Sequence, residues 1–477
     1  MKISILSIII SLNFIFSEEY FLYSPIIPYP EGNTNFYTFL INRDGEIKRI
    51  WDHDSSPASI PYLYDDNILI RPALVEFPAI DLPGRGGLIQ KVDWLGNILW
   101  EYEFSDEFIQ QHHDIEVLPN GNILVLAWEK KTQEEVIQKG KLNHTGVLYV
   151  DMIIEIEPGE NNSGNIVWEW HFWDHLIQDV NPNYDNYGIV SEHPELLNIN
   201  FLNSGGGDGP GPPGNESPDF THCNAIHYNE LLDQIIITSR RANEIFIIDH
   251  STTTNEASSN NGGIYGKGGD FLYRWGNPQN YDIGSSNQQI LFAPHSANWI
   301  REDLNGGGNI LIYNNGLGML SNVHSSIIEI VPPLDLNNGY IYEQGTTFLP
   351  DTTVMNFNNN FSFFSTFQSG VFKLENDNIL VTVTEQDYIF ELNQDLEIVW
   401  EYFYEGDGHI ARMINYDLNL LHGDLNFDNI INVSDILIVI ENILFSQNSY
   451  VNIINNDINN DNYVDIYDLI LLVRMLL

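Results

Sequence analysis

Four of the chain's 14 histidines stand at one point of a repeated pattern. Each opens an apolar strand that turns into a second strand: His113 in HDIEVLPNGNIL, His222 in HCNAIHYNELLDQIII, His295 in HSANWIREDLNGGGNIL and His409 in HIARMINYDLNLL. The fifth copy has Ser369 at this point and the first has Ala58. A lone histidine in a strand is usually a satisfied polar group. Four in register predict a shared pocket. Two chemistries suit such a ring. Neutral imidazoles hold a metal ion, or one imidazole attacks an anionic group while cations hold its charge. Arg240 and Arg241 end the strand after His222, in a chain with only 19 lysines and arginines. Guanidinium suits sulfate or phosphate and repels a metal cation, which favours the second chemistry.

A second constellation lies near the C-terminus. Asp424, Asn426, Asp428 and Asp435 take positions 1, 3, 5 and 12 of a loop, with the Ile430 carbonyl at position 7. Asp457, Asn459, Asp461, Asp468 and the Tyr463 carbonyl repeat the set. This is the oxygen spacing of an EF-hand-like calcium loop. Asn429 and Asn462 occupy the sharp-turn position usually held by glycine, and asparagine tolerates the left-handed conformation needed there. Each loop leads into an apolar run, Ile436–Leu444 and Leu469–Leu477, which predicts a helix.

The elements that must position the histidines are hairpins. Apolar alternation around Gly, Asp or Asn turns recurs at 37–51, 89–100, 152–168, 245–275, 327–342 and 388–400. A second hairpin family carries the strands at 66–70, 121–125, 233–237, 308–312, 377–381 and 418–421. Six of each predict an all-β chain folded as a six-bladed β-propeller, where equivalent positions ring the central channel. Residues 203–219, rich in Gly and Pro, read as a loop.

Residues 1–17 carry one lysine, an apolar stretch and then Ser17 before Glu18-Glu19, the pattern of a cleaved signal peptide. The expected organisation is a signal peptide at 1–17, a propeller at 18–421 and a small α-helical domain with two calcium loops at 422–477. The product is expected to be exported: periplasmic, secreted or at the cell surface, without membrane insertion after cleavage. A formal charge of −47 argues against nucleic acid as a partner, since phosphates need Lys and Arg. The single Cys223 excludes an internal disulfide.

The segments HHDIEVLPNGNIL at 112–124, HCNAIHYNELLDQIIITSRRANEIFIID at 222–249, FLYRWGNP at 271–278 and HSANWI with NGGGNILIYNNG at 295–316 resemble the bacterial arylsulfate sulfotransferases. The likeness covers roughly residues 30–420. It implies transfer of a sulfuryl group from a phenolic sulfate ester to a phenolic acceptor through a sulfohistidine, with no nucleotide donor and no organic cofactor. Carried over, His295 matches the nucleophile, and His113, His222, Asn224 and Arg240 match the groups holding the sulfuryl oxygens. His112 is the less suitable neighbour of His113, and His409 has only its register to recommend it. The tail resembles a type I dockerin, which implies two calcium ions and a cohesin partner. The competing readings are a metal-dependent propeller enzyme using the histidine ring and a non-catalytic binding propeller. Trp128, Trp275 and Trp299 are candidates to stack on phenol rings, or are blade core.

Overall fold

The computed structural model describes residues 18–27, 35–65, 67–201, 217–319, 321–335, 339–445 and 449–477. The signal-type segment 1–17 and most of the glycine-rich loop lie outside the described residues.

The chain divides into two compact units. The larger comprises Tyr23–Thr38 and Trp51–Ile414. It holds five antiparallel four-stranded sheets in simple sequential order, except that the fifth blade takes a later segment as its outer strand. The second blade runs Tyr62–Tyr64, Ile68–Leu74, Gly87–Val92 and Ile98–Glu103. The third runs Ile109–Val117, Ile123–Lys131, Leu148–Pro158 and Gly164–His171, and the fourth Cys223–Asn229, Gln234–Ser239, Glu244–Asp249 and Tyr273–Trp275. The fifth is His295–Trp299, Ile310–Asn314, Ser326–Ile330 and Met355–Phe357; the sixth is Gly370–Lys373, Ile379–Val383, Tyr388–Leu392 and Ile398–Phe403. The middle strands read as continuous apolar runs because both their faces are covered. Gln234–Ser239 and Glu244–Asp249 are buried at every residue.

The smaller unit comprises Met1–Leu22, Phe39–Ile50 and Asn415–Leu477. Its sheet orders Ile414–Leu418, Glu18–Tyr23, Phe36–Asn42 and Ile47–His53, so the first blade is assembled from both ends of the sequence. The sixth inner hairpin expected around 418–421 is therefore a single strand paired with an N-terminal one. With this sheet the molecule is a six-bladed β-propeller, as the repeats predicted. The hairpin expected at 327–342 is also rearranged: Ser326–Ile330 pairs with Met355–Phe357. Pro332 and Pro333 follow that strand, lack N–H donors and cannot continue its ladder.

The tail forms three helices, Val433–Phe445, Tyr450–Asn456 and Ile466–Leu476, around Leu425, Val439, Ile458 and Leu472. Asn455 in the middle helix exchanges two hydrogen bonds with the backbone of Ile50, at 3.0 and 2.9 Å. No helix among the described residues is long and apolar enough to cross a membrane.

Candidate active site

Three of the four registered histidines meet. The His113 and His222 rings lie edge to face at 4.9 Å between centroids, and both His222 and His295 act electrostatically on His113. They lie on the inner strands of successive blades, each beside a bulge: His113 in the middle of Ile109–Val117, His222 just before Cys223–Asn229 and His295 at the start of His295–Trp299. Ladder register slips between Val125 and Ala127, between Cys223 and Ala225, and between His295 and Asn298. The bulges carry left-handed backbone: φ is 48° at His113, 47° at His222 and 55° at Ser296. His113 thus sits within its bulge, whereas His222 and His295 precede theirs. A bulge re-aims a side chain out of the regular alternation, which is how strand residues reach a common point here. Gly84 packs over the His113 ring, where any Cβ would collide with it.

His295 is the best-determined of the set. Asn315 donates from Nδ2 to the carbonyls of Ser365 (2.9 Å) and Gln368 (3.2 Å), which fixes its amide orientation. Its Oδ1 therefore faces His295 Nδ1 at 2.7 Å and accepts a proton from it. His295 Nε2 is left with the lone pair and accepts the Gln368 N–H at 3.1 Å. Burial, with the cations Arg240 and Arg412 and the ring of His222 nearby, holds His295 well below the usual imidazole range despite the bond to Asn315. It is a neutral imidazole with a defined nucleophilic nitrogen.

His222 hydrogen-bonds through Nδ1 to Asp219 Oδ2 at 2.5 Å. Burial alone would raise the Asp219 carboxyl, but His222 outweighs it and holds the group below its ordinary value. Arg241 donates to the Asp219 carbonyl, so this second arginine of the pair is committed to backbone support. Arg240 approaches the Thr366 carbonyl at 3.5 Å and acts on His295. Asn224 is buried; its Nδ2 bonds the Pro294 carbonyl at 2.9 Å, and its Oδ1 has no partner.

His112 lies directly behind His113, with the two Nδ1 atoms 2.9 Å apart. It is fully buried and stacked on Trp128 at 4.0 Å. Among the described residues, His409 makes no hydrogen bond or ring contact with His113, His222 or His295. Its Nδ1 lies 3.0 Å from Asp387, and its ring meets the edge of Phe367. The backbone explains this: His409 is paired with Ile26 in a short ribbon, ahead of the inner strand that begins at Ile414. Arg412, in the same segment, reaches the site instead. It is buried, pairs with Asp114 at 3.0 Å and acts on both His113 and His295. Its signal in the sequence was its scarcity as a cation beside a registered histidine. Asp219, Asp151 and Asn315 gave no comparable signal. Trp128, Trp275 and Trp299 are all buried, as core residues are. Among the described residues, no three His, Cys, Asp or Glu side chains converge as metal ligands.

A family model described as Arylsulfotransferase (ASST) matches residues 30–387. The chain belongs to the arylsulfotransferase family. A type I dockerin domain model matches residues 422–477, so this arylsulfotransferase carries a dockerin domain at its C-terminal end. No curated protein sequence matches it. Among solved structures, it is similar to a protein of unknown function from Bacteroides caccae, with 11% identity, a TM-score of 0.44 and coverage of 84% of this chain and 100% of that one. It is also similar to the periplasmic gluconolactonase of Pseudomonas aeruginosa, with 11% identity, a TM-score of 0.43 and coverage of 84% and 99%.

In the dockerin domain, Asn429 and Asn462 have φ of 65° and 70°, the left-handed turn expected at position 6. Asp424 Oδ2 accepts the Asn429 N–H at 2.7 Å, and Asp457 Oδ2 accepts that of Asn462 at 2.6 Å. Asp435 and Asp468 are buried and accept backbone N–H groups from their loops. Asn459 Oδ1, at position 3, is a buried oxygen with no hydrogen-bonding partner among the described residues.

Proposed function

We propose that this enzyme moves a sulfuryl group from a phenolic sulfate ester to a phenolic acceptor through a sulfonated His295. The observation that carries the reading is the Asn315–His295 pair, which leaves a neutral Nε2 lone pair beside Arg240, His222 and Arg412. In the first half-reaction, Nε2 attacks sulfur in line, an N–S bond forms, and the ester S–O bond breaks to release phenolate. Arg240 and Arg412, with His222 held by Asp219, stabilise charge on the three sulfuryl oxygens. In the second, the acceptor oxygen attacks the same sulfur and regenerates His295. The Gln368 N–H must leave Nε2 as substrate enters, and it lies on a strained segment, with φ of 46° at Gln368 and 78° at Ser369.

The dockerin loops fit calcium. Their donor set is hard oxygen from Asp424, Asn426, Asp428, Asp435 and the Ile430 carbonyl, repeated at Asp457, Asn459, Asp461, Asp468 and Tyr463. The unpartnered Asn459 Oδ1 is an oxygen in search of a cation. Bound calcium would neutralise the loop carboxylates. We further propose an exported protein, cleaved after residue 17, with its propeller ending near 421 and a cohesin-type partner for the tail.

Incubation with 4-nitrophenyl sulfate, with and without phenol, tests the reaction. Nitrophenol release stimulated by phenol is expected. Equal release into water alone would make the enzyme a sulfatase.

A further inference from the structure

We propose that Asp151 and His112 position His113 as the base that accepts the incoming phenol's proton; this rests on the sulfuryl-transfer reading. Asp151 lies in Leu148–Pro158, and its two oxygens are already acceptors: Oδ2 from the Thr221 hydroxyl and Oδ1 from the Cys223 N–H at 3.2 Å. His112 Nε2 lies 3.0 Å from Oδ1, although not in the alignment of a full hydrogen bond. Catalytic contacts often tighten only with substrate present. Facing an acceptor, His112 keeps its proton on Nε2 and carries its lone pair on Nδ1. Nδ1 of His113 stands 2.9 Å away, and two nitrogens at that distance share one proton, which His113 supplies. The remaining nitrogen, His113 Nε2, carries a lone pair and has no hydrogen-bonding protein partner among the described residues. Stacking on Trp128 holds the His112 ring in place.

The step balances. His113 Nε2 takes the phenol proton while the phenol oxygen bonds to sulfur and the N–S bond to His295 breaks. The imidazolium charge is opposed by Asp151 through His112, and the proton is then lost to solvent water, balancing the proton that the phenolate released in the first step takes up from solvent. The support is needed because His113 is surrounded by His222, His112, His295 and Arg412 in a buried site, all of which disfavour a proton there. Asp151 and His112 are positioning residues; neither touches substrate.

The test uses the full chain. Stopped-flow release of nitrophenol without acceptor reports the first half-reaction, and single-turnover transfer to phenol reports the second. Asp151→Asn is expected to slow the second about 100-fold more than the first, with the deficit growing as the acceptor phenol becomes less acidic. Equal slowing of both, or of neither, overturns the proposal. Absence of any burst in the unaltered enzyme overturns the sulfuryl-transfer reading instead. If Asp151→Asn does not fold, His112→Gln carries the same expectation, because it leaves the Thr221 and Cys223 bonds intact. Nitrogen NMR of the unaltered protein gives a separate check: a proton on His113 Nδ1 is expected, and one on Nε2 contradicts the relay.

Discussion

The imidazole cluster and the calcium loops are both built from repeated motifs, yet they are held together by opposite means. In the propeller, three of the candidate groups are answered by other protein groups: Asn315 behind His295, Asp219 behind His222, Asp114 behind Arg412. The charges there are mixed, with Arg412 paired to Asp114. In the dockerin domain, the loops carry Asp424, Asp428 and Asp435, then Asp457, Asp461 and Asp468, with no lysine or arginine between them in the sequence. Burial and its like-charged neighbours Asp435 and Asp428 raise the Asp424 carboxyl despite bonds from the Asn429 and Asp428 N–H groups. One region is preorganised by its own contacts. The other, on the proposed reading, draws its stability from a metal it recruits.

The comparison can be broken at several points. The largest effect is expected at His295→Asn, which should abolish transfer altogether, because no neighbour can replace an atom that forms a covalent bond. A product assay at high enzyme concentration checks this. Arg240→Ala should retain a trace of activity, with kcat/KM lowered about 100- to 1000-fold, the usual cost of one charge-stabilising donor. Chelating calcium from the full chain should lose the helical signal of residues 422–477 in circular dichroism while leaving aryl sulfate turnover in place. An unchanged spectrum would mean that the tail is as self-sufficient as the propeller.

The smallest effect concerns stability. His250 bridges Asp233 at 2.8 Å and Glu155 at 3.1 Å, tying the third blade to the fourth. Burial opposes its charge, but bonds to both carboxylates prevail and raise its pKa from 6.5 to about 9. A raised folded-state pKa gives stability that is fully present below about pH 6.5 and is lost as pH rises through about 9. His250→Ala should cost ~1–3 kcal/mol at pH 6 and much less at pH 10, by chemical denaturation.

The fold was legible because propeller strands repeat. Turn residues and apolar alternation recur in every blade, and the histidine register follows from the same repeat. The repeat also misled where the chain departs from it. Register nominated His409, but the segment from 409 to 413 must pass from a short ribbon into the strand that closes the first blade. That shift brings Arg412 to the site in its place. Asp219, Asp151 and Asn315 were illegible for a different reason. They act through side chains reaching across 3 to 70 residues, and nothing local marks an aspartate or asparagine as such a partner. The dockerin domain was legible because its repeated acidic motifs each lie within one short loop.

Peptide mapping of the enzyme after reaction with 4-nitrophenyl sulfate, without acceptor, tests the central claim most directly. The account predicts an acid-labile sulfuryl adduct on His295, discharged by added phenol. An adduct on His113 or His222, or active enzyme with no adduct on any histidine, would contradict it.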